Sequence, residues 1–415
     1  MHVPVEWLRE HCSPDISTAQ LAERLEMTGT EVAGIATRGV GAHDRFVIGR
    51  VLTAEQHPDA DRLKVCTVDV GEDEPAHIVC GAPNVAAGQT VAVVSDLGTR
   101  REYVQAAFAA AEEMGFDVYE MCVNAIPGWT SVGVPTIGKC KGTLEALCAA
   151  DMILIFHVPL FSKWLREVQG KGVRVQMVID APDDLYQLQS PPGLKEAILH
   201  AQSLYRQTKE VRVTSAAGTD LTYRCGEYPV MSQYGMADEP GRFDHWGVGL
   251  LHTFPNEGSS HGKVVIAPGD IVILPYCRYV VDPVSLEIRE GHIVSIEGGV
   301  DAALMREWLA EGQTGASDRD PYAVSHVGWG LNPQCRWDSL ALYGDAPERS
   351  RAAARSFPGN FLFSTGPNTQ GGGKRTTRGH YDVPMRGCTI SLDGRAVVEN
   401  GRVVDAQMQV ERVAR

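Results

Sequence analysis

The sequence has no long hydrophobic run. Its apolar stretches fall well short of the roughly 18 residues that a membrane-spanning helix needs, so no membrane segment is expected. The chain begins with charged residues, in MHVPVEWLREHC, where a secretory signal peptide would have an apolar core. These two absences predict a cytoplasmic protein.

Positive charge is also scarce. The chain has 38 Lys and Arg residues against 52 Asp and Glu residues, a net charge of −14, and no long basic run. A nucleic-acid partner is therefore not expected. The ten cysteines are scattered and form no CxxC pair. The simplest interpretation is that they are reduced thiols and do not form a disulfide framework.

What the chain does have is length. Its 415 residues, 44% of them hydrophobic, are enough for two or three domains. Residues 17–27 predict a short helix capped by Ser17 or Thr18. The runs between residues 45 and 94 are strand-like and separated by Gly, Pro and Asp, which predicts a small β unit within an N-terminal segment 1–90.

From about residue 88 the pattern changes to strands that alternate with helices. The strands are continuous apolar runs, such as QTVAVVSD and DMILIFHV, as expected when helices cover both faces of a sheet. This alternation predicts a parallel α/β domain over residues 88–215.

Residues 216–415 predict a mainly antiparallel α+β domain. Hairpin patterns occur at EVRVTSAAGTDLTYRC, YVVDPVSLEIREGHIVSIEGG and TISLDGRAVVENGRVV, and the last contains Asp-Gly and Asn-Gly turns. One helix interrupts them, at DAALMREWLAEG. The fold class is therefore α/β and α+β in one chain.

The short stretch GHYDVP, residues 379–384, contains a histidine and an aspartate two positions apart. On a strand the side chains of His380 and Asp382 would share one face, with Tyr381 on the other. A solvent-exposed pair without function is one interpretation, and two ligands of one metal ion is the other. The second interpretation requires a third ligand.

Two further histidines stand in unusual surroundings. His326 lies in SHVGWGLNP, whose glycines would allow the backbone to approach a ligand closely, and His245 lies in the polar segment ADEPGRFDHWG. Two imidazoles and one carboxylate on one face of an octahedral ion form the facial triad of non-haem Fe(II) oxygenases. His326, His380 and Asp382 would supply it, although a core or surface histidine remains the alternative for each. Six histidines lie between residues 245 and 380, and any of them could be a ligand: His245, His252, His261, His292, His326 and His380.

Several long motifs between residues 226 and 400 resemble the 2,5-dihydroxypyridine 5,6-dioxygenases of nicotinate and nicotine breakdown. They are GEYPVMSQYGMADEPGRFDHWG, FPNEGSSHGKVV, SHVGWGLNP, GNFLFSTGPNTQGGGKRT and HYDVPMRGC. The resemblance extends more loosely to about residue 88, and it implies a fold similar to that of the aminopeptidase T-like metallopeptidases.

The resemblance implies a chemistry and a ligand set. An Fe(II) held by His326, His380 and Asp382 would support extradiol-type cleavage of a small aromatic N-heterocycle by dioxygen, with N-formylmaleamate as the product. A homo-oligomer is expected. The interval between His326 and His380 is one residue longer than in the family pattern, and the extra residue is expected in YGDAPERSRAAA.

The resemblance also suggests residues around the substrate. His245 is the candidate for acid–base chemistry or substrate contact, with a histidine bonded inside its own loop as the alternative. The family pattern has Glu where this chain has Gln233, and an amide cannot accept a proton, so the identity of the base stays open. Three polar side chains are candidates either for hydrogen bonds to the substrate or for shaping a turn. Trp329 either forms a wall of the substrate pocket or packs in the hydrophobic core. The three are Ser364, Thr365 and Asn368.

The peptidase relatives suggest a competing function, a dinuclear aminopeptidase. Glu257 matches one of their metal-ligand glutamates, but their bridging glutamate is replaced around SIEGGVDA. Loss of a carboxylate favours one iron, with Glu257 as a hydrogen-bond partner of the ligands.

The first 93 residues resemble a different family, the bacterial phenylalanyl-tRNA synthetase β chain. The motifs are VPVEWLREHC, LAERLEMTGTEV, HPDADRLKVCTVDVG and IVCGAPNVAAGQTVAV. The similarity stops before the last strands of an oligonucleotide-binding barrel, so the chain is interpreted as a fusion. A tRNA-binding adaptor is a further alternative, but a barrel with open edges and no aromatic-rich basic face does not favour it.

Overall fold

A computed structural model of the chain describes residues 16–30, 32, 34–35, 50–60, 63–80, 88–124, 137–140, 142–342 and 351–413. Most of the segment expected to contain the extra residue, at 343–350, lies outside the described residues, as does the VPVEWLREHC motif. Nine cysteines are described, and all are free thiols. Within these ranges no helix has the length and apolarity to cross a membrane.

The N-terminal segment contains a helix and a small antiparallel sheet. Helix α1 (Thr18–Met27) is capped by Ser17 through a capping box with Gln20, as predicted. The sheet has the order β1-β2-β3, and the predicted β unit is confirmed. Its strands are β1 (Arg50–Gln56), β2 (Lys64–Asp69) and β3 (Ala76–Cys80).

The next unit is the predicted parallel sheet, with the strand order β11-β7-β6-β4-β5. Its strands are β4 (Thr90–Asp96), β5 (Asp117–Val123), β6 (Met152–Ile155), β7 (Arg174–Met177) and β11 (Phe243–His245). Its helices are α2 (Arg101–Glu113), α3 (Thr143–Cys148), α4 (Lys163–Gly170), α5 (Pro182–Gln187) and α6 (Leu194–Gln207). The apolar strands lie between helices, as their composition requires.

The predicted division at residues 215/216 does not follow the sheets. Strand β11 comes from the second predicted domain but pairs in parallel with β7, through Phe243↔Val175 and His245↔Met177. Conversely, β8 (Glu210–Ser215) belongs to an antiparallel sheet. The chain therefore returns to the first sheet after starting the second, and no local pattern in a three-residue strand signals that return.

The remaining strands form antiparallel sheets, as predicted. An eight-stranded sheet has the order β17-β16-β13-β9-β8-β21-β22-β23, and β14 pairs with β15. These strands include β9 (Asp220–Arg224), β13 (His261–Ile266), β14 (Ile271–Val272), β15 (Arg278–Tyr279), β16 (Val284–Arg289), β17 (His292–Gly298), β21 (Cys388–Leu392), β22 (Arg395–Glu399) and β23 (Arg402–Val403). All three predicted hairpin regions are confirmed, and the turn residues Asp393 and Asn400 adopt the positive φ that such tight turns need.

A five-stranded antiparallel sheet, β10-β12-β18-β19-β20, lies at the centre of this half. Its strands are β10 (Met231–Gln233), β12 (Leu250–Thr253), β18 (Val324–Gly330), β19 (Phe361–Thr365) and β20 (Asp382–Met385). Every residue of β18, β19 and β20 is buried. The helices here are α7 (Val300–Glu311), at the predicted place, α8 (Ser339–Leu342) and α9 (Arg351–Ser356).

Candidate metal centre

Side chains from two segments that are far apart in sequence converge on the central sheet. His326, His380 and Asp382 each present one ligand atom, and these atoms all lie within 4.8 Å of one another. His326 Nε2 and Asp382 Oδ1 are 4.0 Å apart. Bonds of about 2 Å from two ligands to one ion require such proximity. The structure therefore brings the predicted triad together.

His326 lies in an irregular part of β18. The pairing of β18 with β19 shifts between Val324 and Val327, so His326 falls inside a bulge. Bulges re-aim side chains and are frequent beside active sites. The hydroxyl of Ser364 donates to the His326 carbonyl oxygen over 2.7 Å, which holds this part of the strand in place.

The glycines beside His326 serve the sheet. A Cβ on Gly328 would overlap the carbonyl oxygen of Leu251 on β12, and one on Gly330 would overlap Ser356. The expectation that these glycines let the backbone approach a ligand is wrong, because the close neighbours are protein backbone.

His380 and Asp382 are held differently from each other. The strand β20 begins at Asp382, so His380 lies just before it, not within a strand as the sequence pattern predicted. Tyr381 does point away, into the core. Nδ1 of His380 donates to the Thr365 carbonyl oxygen over 2.7 Å, which leaves Nε2 as the nitrogen with a free lone pair.

Asp382 is buried, and neither of its carboxylate oxygens has a hydrogen-bond partner. Burial raises the pKa of Asp382 to about 7, against the opposing charge of Arg355. Burial also lowers the pKa of His380 to about 4 and that of His326 well below its usual range. A divalent cation would compensate the buried carboxylate and bind the neutral imidazoles, so these residues fit a metal ion.

A cavity of about 710 Å³ opens next to the triad. Phe161, which follows β6, lines it and packs edge-on against His380 with ring centroids 5.2 Å apart. His252 on β12 lines it as well, and its ring lies 5.2 Å from that of His326. The cavity therefore lies between the parallel sheet and the central antiparallel sheet. The three ligands are not in its lining, and the rings of Phe161 and His252 are its contacts with them.

The comparisons with known proteins agree with this geometry. A family model described as "NicX: 2,5-dihydroxypyridine 5,6-dioxygenase" matches residues 79–405. This chain belongs to the 2,5-dihydroxypyridine 5,6-dioxygenase family.

Relatives and solved structures extend the family match. A 2,5-dihydroxypyridine 5,6-dioxygenase of Pseudomonas putida KT2440 is 38% identical over 324 residues, covering 76% of this chain and 91% of the relative. The solved structure of 2,5-dihydroxypyridine dioxygenase from the same organism gives a TM-score of 0.70 at 36% identity, with 77% of this chain and 93% of that chain covered. AmpT from Thermus thermophilus shares the fold at 13% identity, with a TM-score of 0.50 over 78% of this chain and 96% of that chain.

The N-terminal resemblance is confirmed as well. The β subunit of phenylalanine–tRNA ligase from Lactiplantibacillus plantarum is 52% identical over 93 residues. These residues are 22% of this chain but only 11% of that relative. Besides its dioxygenase-family part, the chain therefore contains a short segment similar to this ligase subunit.

The predicted substrate residues of this dioxygenase-family chain separate into two groups. Gln233 lines the cavity beside His252. Ser364 and Thr365 are instead used inside the protein, since Thr365 Oγ1 donates to the Gly379 carbonyl oxygen over 3.0 Å and accepts from the Tyr381 N–H over 3.2 Å. Of the two alternatives left open for these hydroxyls, these contacts favour shaping the backbone around His326 and His380.

Trp329 does not wall the cavity. It is fully buried in the main core on the face of β18 opposite His326, and its ring centroid lies 5.0 Å from that of Tyr205. Alternation along the strand explains this position. Of its two predicted roles, the one as core filler agrees with the structure.

Glu257 does not contact the triad. Its carboxylate accepts hydrogen bonds from Arg375 Nη1 at 2.7 and 2.6 Å, from the Tyr228 hydroxyl at 2.6 Å and from Asn368 Nδ2 at 2.9 Å. The expectation that it supports the metal ligands directly is therefore wrong. This cluster instead anchors the Gly-rich segment 371–373, and Asn368 is part of the anchor.

His245 is enclosed in an internal network. It is 1% exposed, and its Nε2 lies 2.8 Å from Asp180 Oδ2. Its Nδ1 lies 3.4 Å from Arg355 Nη2, so both ring nitrogens have protein partners. Direct acid–base contact with a substrate in this cavity is therefore not what the geometry provides. The sequence could not show this placement, because no local pattern signals that β11 joins the parallel sheet.

Three further polar residues were not assigned to the site from the sequence, although His252 was among the six histidines named there. His252 and His157 are buried with unpaired ring nitrogens, at Nδ1 in His252 and at both nitrogens in His157. Burial lowers their pKa values to about 3 and about 4. The third is Arg355, whose charge acts on the pKa of His252, His326, His380 and Asp382. No spacing motif marks any of the three.

Proposed function

We propose that this chain is a mononuclear Fe(II)-dependent dioxygenase that opens a 2,5-dihydroxypyridine-like ring to N-formylmaleamate. One observation carries the proposal above all: a buried carboxylate without any hydrogen-bond partner, Asp382, faces two neutral imidazoles in a chain of this family. Two histidines and one carboxylate are the ligand set that leaves positions open for a substrate and dioxygen.

The iron would be held by His326, His380 and Asp382. When bound, Fe(II) supplies the open coordination positions and the redox chemistry through which dioxygen reacts with an electron-rich ring. The protein's own residues hold the ring. Phe161 and His252 cover the ligands from the cavity side, which limits the access of water.

Two polar groups suit a hydroxylated ring. The Gln233 amide can donate to or accept from a ring oxygen, although it cannot take up a proton. The Arg355 guanidinium places a positive charge near a buried site, which favours an anionic ring oxygen over a neutral hydroxyl. The substrate class is therefore a ring that can present a deprotonated oxygen.

The competing function, a dinuclear aminopeptidase, requires a second set of metal ligands. Within the described ranges, His326, His380 and Asp382 are the one group of three metal-ligating side chains with this proximity. Glu257 is bonded to Arg375, Tyr228 and Asn368. These contacts favour one metal per chain.

The test is an activity assay after anaerobic reconstitution with Fe(II). Under oxygen, 2,5-dihydroxypyridine should lose its ultraviolet absorbance while one O₂ is consumed per ring, and 2-hydroxypyridine, which lacks the 5-hydroxyl, should be inert. The peptidase would be supported instead if the protein loaded with Zn²⁺ or Co²⁺ hydrolysed a leucine anilide, and if the Fe(II)-loaded protein consumed no oxygen in the presence of 2,5-dihydroxypyridine.

A further inference from the structure

The carboxyl ends of two neighbouring parallel strands bring a carboxylate and an imidazole together. Asp180 follows β7, His245 ends β11, and the two strands pair directly. The Asp180 Oδ2 to His245 Nε2 distance is 2.8 Å, and both side chains are almost fully buried. The carboxyl edge of a parallel sheet is where such folds place functional groups.

The hydrogen bonds define the tautomer of His245. Burial lowers the pKa of this imidazole, so it is neutral and has one N–H. That N–H is placed on Nε2, because its neighbour, the Asp180 carboxylate, is an acceptor. Nδ1 is then an acceptor, and Arg355 Nη2 lies 3.4 Å from it. The chain of contacts runs from Asp180 through His245 to Arg355.

Arg355 connects this pair to the metal centre. It lies on α9, which packs against β18 and β20, the strands that carry His326 and Asp382. Its Nε is buried and has no hydrogen-bond partner. A guanidinium has five N–H donors in a rigid fork, so fixing one end through Nη2 also fixes the direction of Nε–H.

We propose that Asp180 and His245 form a positioning pair that holds the Arg355 guanidinium beside the metal centre, with its Nε–H kept free for an anionic oxygen of the bound ring. The identity of that ligand rests on the proposed function, but the positioning of Arg355 does not. His245 is thus a positioning residue for Arg355, and it does not exchange protons with the substrate.

A purely structural role for the pair makes different predictions. Asp180 and His245 would then only fasten β11 to the end of β7, and their loss would reduce stability without a specific effect on Arg355. A His–Asp pair of that kind exists elsewhere, between His200 and Asp405 at 3.2 Å. His200→Gln is therefore a matched control for a substitution at position 245.

The test uses two variants. His245→Gln can keep a donor at the position of Nε2, toward Asp180, but has no acceptor at the position of Nδ1, where Arg355 bonds. His245→Asn can keep an acceptor at the position of Nδ1 but does not reach Asp180. Crystal structures of both metal-loaded variants should show the guanidinium displaced in the Gln variant and less so in the Asn variant. An unmoved Arg355 in both would overturn the proposal. This readout does not depend on the reaction.

Kinetics give the second readout. His245→Gln should lower kcat/KM for 2,5-dihydroxypyridine about tenfold, the range for one lost hydrogen bond, with iron content unchanged. In an Arg355→Ala background it should add less than a factor of about two, because both changes remove the same interaction. His200→Gln should match the wild type. If the losses in kcat/KM caused by the changes at positions 245 and 355 multiply in the double variant, the proposal is contradicted. If the wild type does not act on this ring but Arg355 is displaced in His245→Gln, only the proposed function is contradicted.

Discussion

Nδ1 of His380 donates a hydrogen bond to the carbonyl oxygen of Thr365, at a distance of 2.7 Å. This bond joins the segment that precedes β20 to the end of β19, and it assigns the Nδ1–H tautomer to His380. The Nε2 lone pair is thereby directed toward His326 and Asp382. A backbone acceptor behind a ligating imidazole raises its basicity and fixes its orientation.

The three proposed ligands should be individually essential. His326→Ala, His380→Ala or Asp382→Ala should each remove most of the bound iron and essentially all ring cleavage, because two ligands leave the ion poorly held. Tyr381→Phe is the matched control, since Tyr381 lies between two ligands but points into the core. Iron content per chain measures the outcome, and a ligand variant with full iron would remove that residue from the set.

The Thr365 hydroxyl should stabilise both the fold and the site. Thr365→Val keeps the shape but leaves the Gly379 carbonyl and the Tyr381 N–H without their partner. A loss of about 1–3 kcal/mol in unfolding free energy is expected, together with weaker iron binding through His380. Thr377→Val is a control, because the hydroxyl of Thr377 is less buried and water can replace it. Equal losses in the two variants would argue against a specific role for Thr365.

His157 should make the protein sensitive to acid. Burial lowers the pKa of His157 to about 4 from 6.5, so between these values the unfolded chain binds more protons and stability rises with pH. Between pH 5 and 6.5 this amounts to about 1.5 kcal/mol. The free energy of unfolding of the metal-free wild type and of His157→Asn can be measured by denaturant titration at each pH. The wild type should lose more of it between pH 6.5 and pH 5 than the variant does, by about this amount. Identical slopes would mean that His157 is not buried as a neutral group.

The N-terminal segment should be dispensable for metal binding. All three ligands lie beyond residue 320, and β4 pairs with β5 and β6, which follow it in the chain. A chain starting at residue 88 should bind iron as the full chain does, measured by metal analysis with circular dichroism as the check on folding. The same chain with Asp382→Ala gives the background value. Folded truncated protein without iron would show that the segment contributes to the site.

The sequence predicted the parts of the fold that local patterns determine. Apolar runs alternating with helices predicted the parallel sheet, and Asp393-Gly394 and Asn400-Gly401 predicted the two tight turns of the C-terminal hairpins. The ligand set was also predictable, because it combined a short His-x-Asp motif with a family resemblance. The convergence of His326 with that motif follows from β19 lying between β18 and β20.

Other features depend on contacts that no local pattern encodes. The three-residue strand β11 joins a sheet begun some 150 residues earlier, which places His245 beside Asp180 and away from the cavity. Arg355 lies on α9, which follows residues 343–350 in the sequence, and those residues are outside the described part of the structure. Glu257 resembled a metal-site residue by motif alone, but Arg375 occupies its carboxylate.

The incorporation of oxygen tests the central claim most directly. Iron-loaded protein is mixed with 2,5-dihydroxypyridine under ¹⁸O₂, and the ring-opened product is analysed by mass spectrometry within the first turnovers, before exchange with water. A dioxygenase at this site predicts a product four mass units heavier than the one formed under ¹⁶O₂, and no product from Asp382→Ala. A product two mass units heavier, or one labelled only from H₂¹⁸O, would contradict the account.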